Sequence, residues 1–148
     1  MKTVVATGVF DILHPGHVVF LEEARKLGDR LVVIVARDHN VEKRKNPPTI
    51  PERQRLELVS ALKGVDEAVL GDREDFYKPI KEIDPDIVAL GKNQRFDVNE
   101  LQAELMKRGL KARVVRIDMH MEGDLSSSSR IIEKIRRTGE HASKGCQQ

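Results

Sequence analysis

"TVVATGVFDILHPGHVVFLEEARKLGDRLVVIVA", residues 3–36, spells strand, turn, helix and strand in that order. "TVVAT" from Thr3 and "LVVIVA" from Leu31 to Ala36 are unbroken apolar runs rich in β-branched residues. They do not alternate apolar with polar, so both faces of each strand need cover, as in a parallel sheet. Between them Phe20, Leu21, Ala24 and Leu27 recur at helical spacing, and Pro15 is a natural opener for that helix.

The same signature continues outward. "EAVL" from Glu67, "DIVAL" from Asp86 and "ARVVRI" from Ala112 read as three more buried strands. "PERQRLELVSAL" from Pro51 puts Leu56, Val59 and Leu62 on one helical face. "DFYKPIKEI" carries Pro79 and reads as a short or kinked helix. "VNELQAELMKRGL" sets Leu101, Leu105 and Met106 on one face and ends at Gly109, a C-cap. "SRIIEKIRR" supplies the last helix, with Ile131, Ile132 and Ile135. Strands alternating with helices predict an α/β fold: a Rossmann-like, doubly wound, five-stranded parallel sheet with helices on both faces. One domain over residues 1–148 is expected, with a polar, disordered tail at 138–148. The stretch 39–49, "HNVEKRKNPPT", reads as one basic, proline-bearing loop, and interior loops of that length are often functional.

The 148 residues hold 26 Lys and Arg against 24 Asp and Glu, a net charge of +2. Such a balance speaks against a nucleic-acid partner, which calls for a basic excess or stripe. The longest apolar run, Leu31 to Ala36, is too short to span a bilayer, so no membrane is expected. The N-terminus goes straight into a strand rather than into a signal peptide. Cys146 is the lone cysteine, which excludes a disulfide framework and fits a reducing, cytoplasmic setting.

Within the opening unit, "TGVFDILHPGH", residues 7–17, begins at the carboxyl end of the first strand. Open parallel sheets bind ligands there. Gly8 allows close backbone approach. The helix that follows offers free N–H groups and a positive dipole end, which favour an anion. His14 and His17, three apart, can face one ligand from its first turn. As donors to phosphoryl oxygens they would stabilise charge that builds up in a transition state. Two bland alternatives stand beside this: a metal half-site, for which no partner lies in helical register, and ordinary surface residues. The stretch is not a Walker A loop, since no G-K-[ST] follows.

H-x-G-H after a "T-G-x-F-D" strand end resembles the signature of the cytidylyltransferase-like nucleotidyltransferase superfamily. His14, Pro15, Gly16 and His17 match it directly. "LSSSSRI", Leu125 to Ile131, stands where the family has a hydroxyl-rich segment opening its last helix. "GKNQ", 91 to 94, falls where the family reads the base. The resemblance covers residues 2–137. "FDILHPGH", "LGDRLVVIVARD" and "PERQRLELVSALKGVDEAVLG" are most similar to the small archaeal-type FAD synthetases; glycerol-3-phosphate cytidylyltransferases also resemble the chain. Three departures stand out. Val9 replaces the usual Thr, Asn93 replaces a common Asp, and "MEGDLSSSS" lacks the cysteine pair that some FAD synthetases carry.

The resemblance implies a reaction. A phosphorylated acceptor attacks the α-phosphorus of a nucleoside triphosphate, and pyrophosphate leaves. The expected pair is ATP and FMN, giving FAD; CTP with glycerol 3-phosphate, giving CDP-glycerol, is the alternative, and a nucleotide sensor without turnover is a third. Mg²⁺ or another divalent cation should accompany the triphosphate, and a homodimer is expected. The implied catalytic residues are His14, His17 and Lys45. The backbone of Val9 and Phe10, with Pro15, Gly16, Gly91, Asn93, Arg116, His120 and Ser126, Ser127, Ser128 and Ser129, would bind the nucleotide. Lys43, Lys45 and Arg55 would bind the acceptor. Asp11 would assist the metal or fix its own loop. Phe10 has core packing as its plain alternative, Arg55 a surface ion pair, the 43–45 run a solvated charge cluster, and the serines a helix cap. Only five aromatic side chains, Phe10, Phe20, Phe76, Tyr77 and Phe96, are available to meet a flavin.

Overall fold

A computed structural model describes residues 1–41, 47–92, 94, 96–118 and 127–145 of the chain. The elements in order are β1 (Thr3–Gly8), α1 (Pro15–Lys26), β2 (Arg30–Val35), α2 (Asp38–Val41), α3 (Glu52–Ser60), β3 (Glu67–Leu70), α4 (Tyr77–Ile83), β4 (Ile87–Leu90), α5 (Val98–Lys107), β5 (Arg113–Arg116) and α6 (Ser128–Gly145). The five strands form one parallel sheet in the order β3-β2-β1-β4-β5. The order reverses between β1 and β4, the crevice where open α/β sheets bind ligands.

Both sheet faces are covered, as the unbroken apolar runs require. Val4, Ala6, Leu31, Val33 and Val35 pack on one face with Leu21 and Ala24 of α1 and Val59 of α3. Val5, Val32, Ile34, Val88 and Leu90 pack on the other with Ile80 of α4 and Leu101 and Leu105 of α5. Side chains of successive strand residues point to opposite faces, which is why the two sets interleave in sequence.

Pro79 does not break α4. It stands in the first turn, where no intrahelical N–H bond is lost, and it is buried there. α5 ends as its glycine predicts. Gly109 takes φ +77°, its N–H reaches Met106 O at 3.0 Å, and Leu110 N–H reaches Leu105 O at 2.9 Å. Those two bonds are a Schellman cap.

Two expectations need correction. The stretch 39–49 is not all loop, because α2 occupies its start. A four-residue helix has no periodicity to betray it. Long-range bonds hold it: Asp38 N–H donates to Glu52 Oε1, and Glu52 N–H donates to Asp38 Oδ2, each at 3.1 Å. The last helix also does not stop at Arg137. Residues 138–145 continue α6, with Thr138 Oγ1 donating to Lys134 O at 2.9 Å.

Candidate active site

The turn after β1 is bent by two non-glycine residues in the left-handed region, Phe10 at φ 55° and Ile12 at φ 43°. Ile12 is β-branched, so its backbone is strained and must be held from outside. Three sets of contacts do so. The Phe10 ring is buried in the α1–α3 core. Asp11 accepts from Thr49 N–H and Ile50 N–H, both at 2.9 Å. Arg55 reaches in from α3. It is fully buried and donates to Val9 O at 2.7 Å, Ala36 O at 2.8 Å, Ile50 O at 2.8 Å and Asp38 Oδ1 at 2.6 Å. One guanidinium thereby joins the ends of β1 and β2 to the starts of α2 and α3.

Arg55 was expected at the acceptor, and the structure corrects this. Every nitrogen of its side chain is engaged by the protein and none is exposed, so it is an internal clamp. Asp11 takes the loop-fixing alternative, with both carboxylate oxygens on backbone amides. The Phe10 side chain packs in the core. Gly8 makes room for that ring: a Cβ there would fall 2.9 Å from Phe10 Cε2.

The strained turn delivers the chain into α1 at His14, the N-cap. His14 Nδ1 accepts from Gly16 N–H at 3.1 Å, and His17 Nδ1 accepts from His14 N–H at 3.3 Å. An Nδ1 that accepts cannot carry the proton, so both neutral rings hold it on Nε2. The rings stack with centroids 3.8 Å apart and planes 30° apart, and Phe10 lies 5.5 Å from His17. Burial lowers the pKa of His14. His17 is pushed down to about 4, by burial first and then by the neighbouring His14, with Asp11 opposing. Both imidazoles are therefore neutral near pH 7, each with one N–H donor to offer.

Across the switch point, Gln94 ties the loop after β4 to the end of β1. Its Nε2 donates to Thr7 O at 2.8 Å and to Thr7 Oγ1 at 3.2 Å, while its Oε1 accepts from Gly91 N–H at 2.8 Å. Arg116 holds the same loop from β5. It donates to Gly91 O at 2.9 Å, to Gln94 O at 3.0 Å and to Phe96 O. Arg116 was expected to bind the nucleotide, near its phosphates; here its guanidinium positions this loop. Gly91 enters as part of that loop.

Ser127 caps the start of α6, its Oγ accepting from Arg130 N–H at 3.3 Å. Ser128 opens α6 and Ser129 is exposed at its start. Lys43, Lys45, Asn93, His120 and Ser126 lie outside the described residues.

A cavity of about 520 Å³ opens at the carboxyl ends of β1, β2 and β3. Gly8 and Val9 line it, so it abuts the turn that carries the histidines, but neither imidazole does. Its lining includes Ile34, Ala36, Val41, Phe76 and Phe96, with Asp72, Arg73 and Glu74 among its polar groups. Asp38 went unnoticed in the sequence, Gln94 was read only as part of "GKNQ", and Phe76 and Phe96 only as two of five aromatics. Their common signal is position: each stands a few residues beyond the carboxyl end of a strand. Among the described residues no group of three or more His, Cys, Asp or Glu could hold a metal ion. No helix among them is long and apolar enough to cross a membrane.

The profile of the cytidylyltransferase-like family matches residues 5–134. An FAD synthase of Ferroglobus placidus is 62% identical over 135 residues, covering 91% of this chain and 88% of its own. An FAD synthase of Archaeoglobus profundus is 59% identical over 135 residues, covering 91% and 86%. A crystal structure described as a lipopolysaccharide core biosynthesis protein from Thermoplasma volcanium superposes with a TM-score of 0.79 at 48% identity, covering 82% of this chain and 99% of its own.

Proposed function

The chain belongs to the cytidylyltransferase-like family, and from that premise we propose that it transfers AMP from ATP to FMN, giving FAD and pyrophosphate. The single observation that carries this is the His14–His17 pair, fixed as two Nε2–H donors at a helix N-terminus beside the sheet's switch point. The FAD synthase relatives supply the acceptor and the base.

The chemistry needs little proton transfer. An FMN phosphate oxygen, already anionic, attacks the α-phosphorus of ATP. The bond from that phosphorus to the oxygen bridging the β-phosphorus breaks, and pyrophosphate leaves with the electron pair. Negative charge grows on the α-phosphoryl oxygens as the bonds exchange. Two preorganised Nε2–H donors in a partly desolvated site stabilise that charge with no reorganisation at the moment of reaction. The clamped turn at Val9 to Ile12 keeps the donors in place, which is the positioning half of the catalysis. When bound with the triphosphate, a divalent cation such as Mg²⁺ would offset phosphate charge. Lys45, with Lys43, remains the proposed clamp on acceptor and nucleotide phosphates. We further propose a cytoplasmic homodimer without a nucleic-acid partner; sedimentation of the purified chain tests the dimer.

Replacement of His17 tests the mechanism. His17→Ala should lower kcat on the order of 10²-fold or more while ATP affinity changes little. His14→Ala should do the same. Near-normal turnover by either variant would remove the proposed role.

A further inference from the structure

The cavity at the ends of β1, β2 and β3 combines aliphatic and aromatic side chains with polar groups. At about 520 Å³ it falls in the size range of small-molecule sites, about 300–1,000 Å³. Phe76 and Phe96 meet there from different elements, Phe76 just before α4 and Phe96 from the loop after β4. Their rings stack with centroids 4.9 Å apart and planes 27° apart, and Tyr77 braces Phe76 edge-on at 5.2 Å. The backbone of Phe96 is held by Arg116, so this wall is fixed. Ile34 and Val41 supply aliphatic surface elsewhere in the lining, and Asp72, Arg73 and Glu74 supply hydrogen-bonding groups. A three-ring system with one apolar and one polar edge matches that lining. A glycerol phosphate would leave the apolar wall uncovered.

We propose that Phe76 and Phe96 form the wall against which the acceptor's ring system stacks, and that this wall is what selects a flavin phosphate over a small polyol phosphate. This rests on the reading of the chain as an AMP transferase acting on FMN. The cavity reaches Gly8 and Val9, so a ring seated in it would direct its phosphate chain toward the histidine turn. Planar stacking against an aromatic wall is worth up to about tenfold in affinity for each ring, beyond the area buried.

The test uses four proteins: the full chain and its Phe76→Leu, Phe96→Leu and Gly71→Leu variants. The leucines keep apolar volume and remove the ring. Gly71→Leu fills the cavity from another wall, and its new Cβ would meet only Ile34 Cγ2 and Val35 O, each at an ordinary 3.6 Å. It therefore keeps the proposal decidable if a Phe variant fails to fold. KM for FMN, KM for ATP and quenching of FMN fluorescence are measured, with circular dichroism as the check on folding. The expected result is a rise of about tenfold in KM for FMN in each Phe variant and a larger rise in Gly71→Leu, with KM for ATP unchanged. If the full chain makes FAD yet all folded variants keep its KM for FMN, the ring sits elsewhere and the inference is overturned while the function stands. If the full chain makes no FAD at all, the function falls and the inference falls with it.

Discussion

His17 stands between burial, which disfavours its charged form, and an incoming triphosphate, which would favour it. Its folded-state pKa of about 4 lies below the ordinary 6.5. Between those values the unfolded chain binds a proton that the folded chain does not. Stability from this group is therefore complete above about pH 6.5 and falls as the pH drops toward 4. An NMR titration of the His17 ring should show a midpoint near 4 in the free protein and an upward move with ATP bound; a midpoint of 6.5 in the free protein would contradict the buried, neutral donor. Arg55 makes a second prediction at this scale. Its removal leaves three carbonyls and the Asp38 carboxylate without their donor, so Arg55→Ala should cost about 3 kcal/mol or more of unfolding free energy. Arg30→Ala, which breaks only a solvent-exposed pair with Glu67, should cost at most about 1 kcal/mol. Denaturant titration of both variants checks the contrast. The histidines were legible because their motif lies within four consecutive residues. Arg55 was misread because its partners, at positions 9, 36, 38 and 50, are brought to it only by the fold.

The elements were legible wherever hydrophobic pattern alone determines them. All five strands coincide with the unbroken apolar runs, since a strand covered by helices on both faces has no polar side to show. α1, α3 and α5 follow from apolar spacing and from Pro15, Pro51 and Gly109 at their ends. α2 was not legible, because reciprocal bonds between Asp38 and Glu52 create it and neither residue signals the other in sequence. The end of α6 was missed because polarity after Arg137 resembles a tail, while Glu140, Ala142 and Lys144 are good helix formers. The cap of α5 gives a clean measurement at this scale. A Cβ on Gly109 would meet nothing within 4 Å, so Gly109→Ala tests only the cost of φ +77° for an L-residue. A loss of about 1 kcal/mol in thermal or denaturant unfolding is expected; an unchanged stability would mean that the cap is not formed.

At the scale of the whole molecule, the order β3-β2-β1-β4-β5 places the β1 turn in the centre of the sheet. The described parts of the proposed site gather at that one edge: the histidine pair after β1, the Gln94 and Arg116 loop after β4, and the cavity at the ends of β1, β2 and β3. The site's location was readable from the first βαβ unit, since the switch point of an open parallel sheet falls beside its central strand. The acceptor was not readable from spacing or composition. Five aromatic residues left few rings for a flavin, and only the fold brings Phe76 and Phe96 into one wall. Direct product analysis tests the central claim. The purified chain, with Mg²⁺, is given ATP or CTP, each with FMN or with glycerol 3-phosphate, and pyrophosphate and the joined product are quantified. FAD and pyrophosphate in equal amounts from ATP and FMN, with little from the other three mixtures, is the predicted result. Formation of CDP-glycerol from CTP and glycerol 3-phosphate, with no FAD, would contradict it.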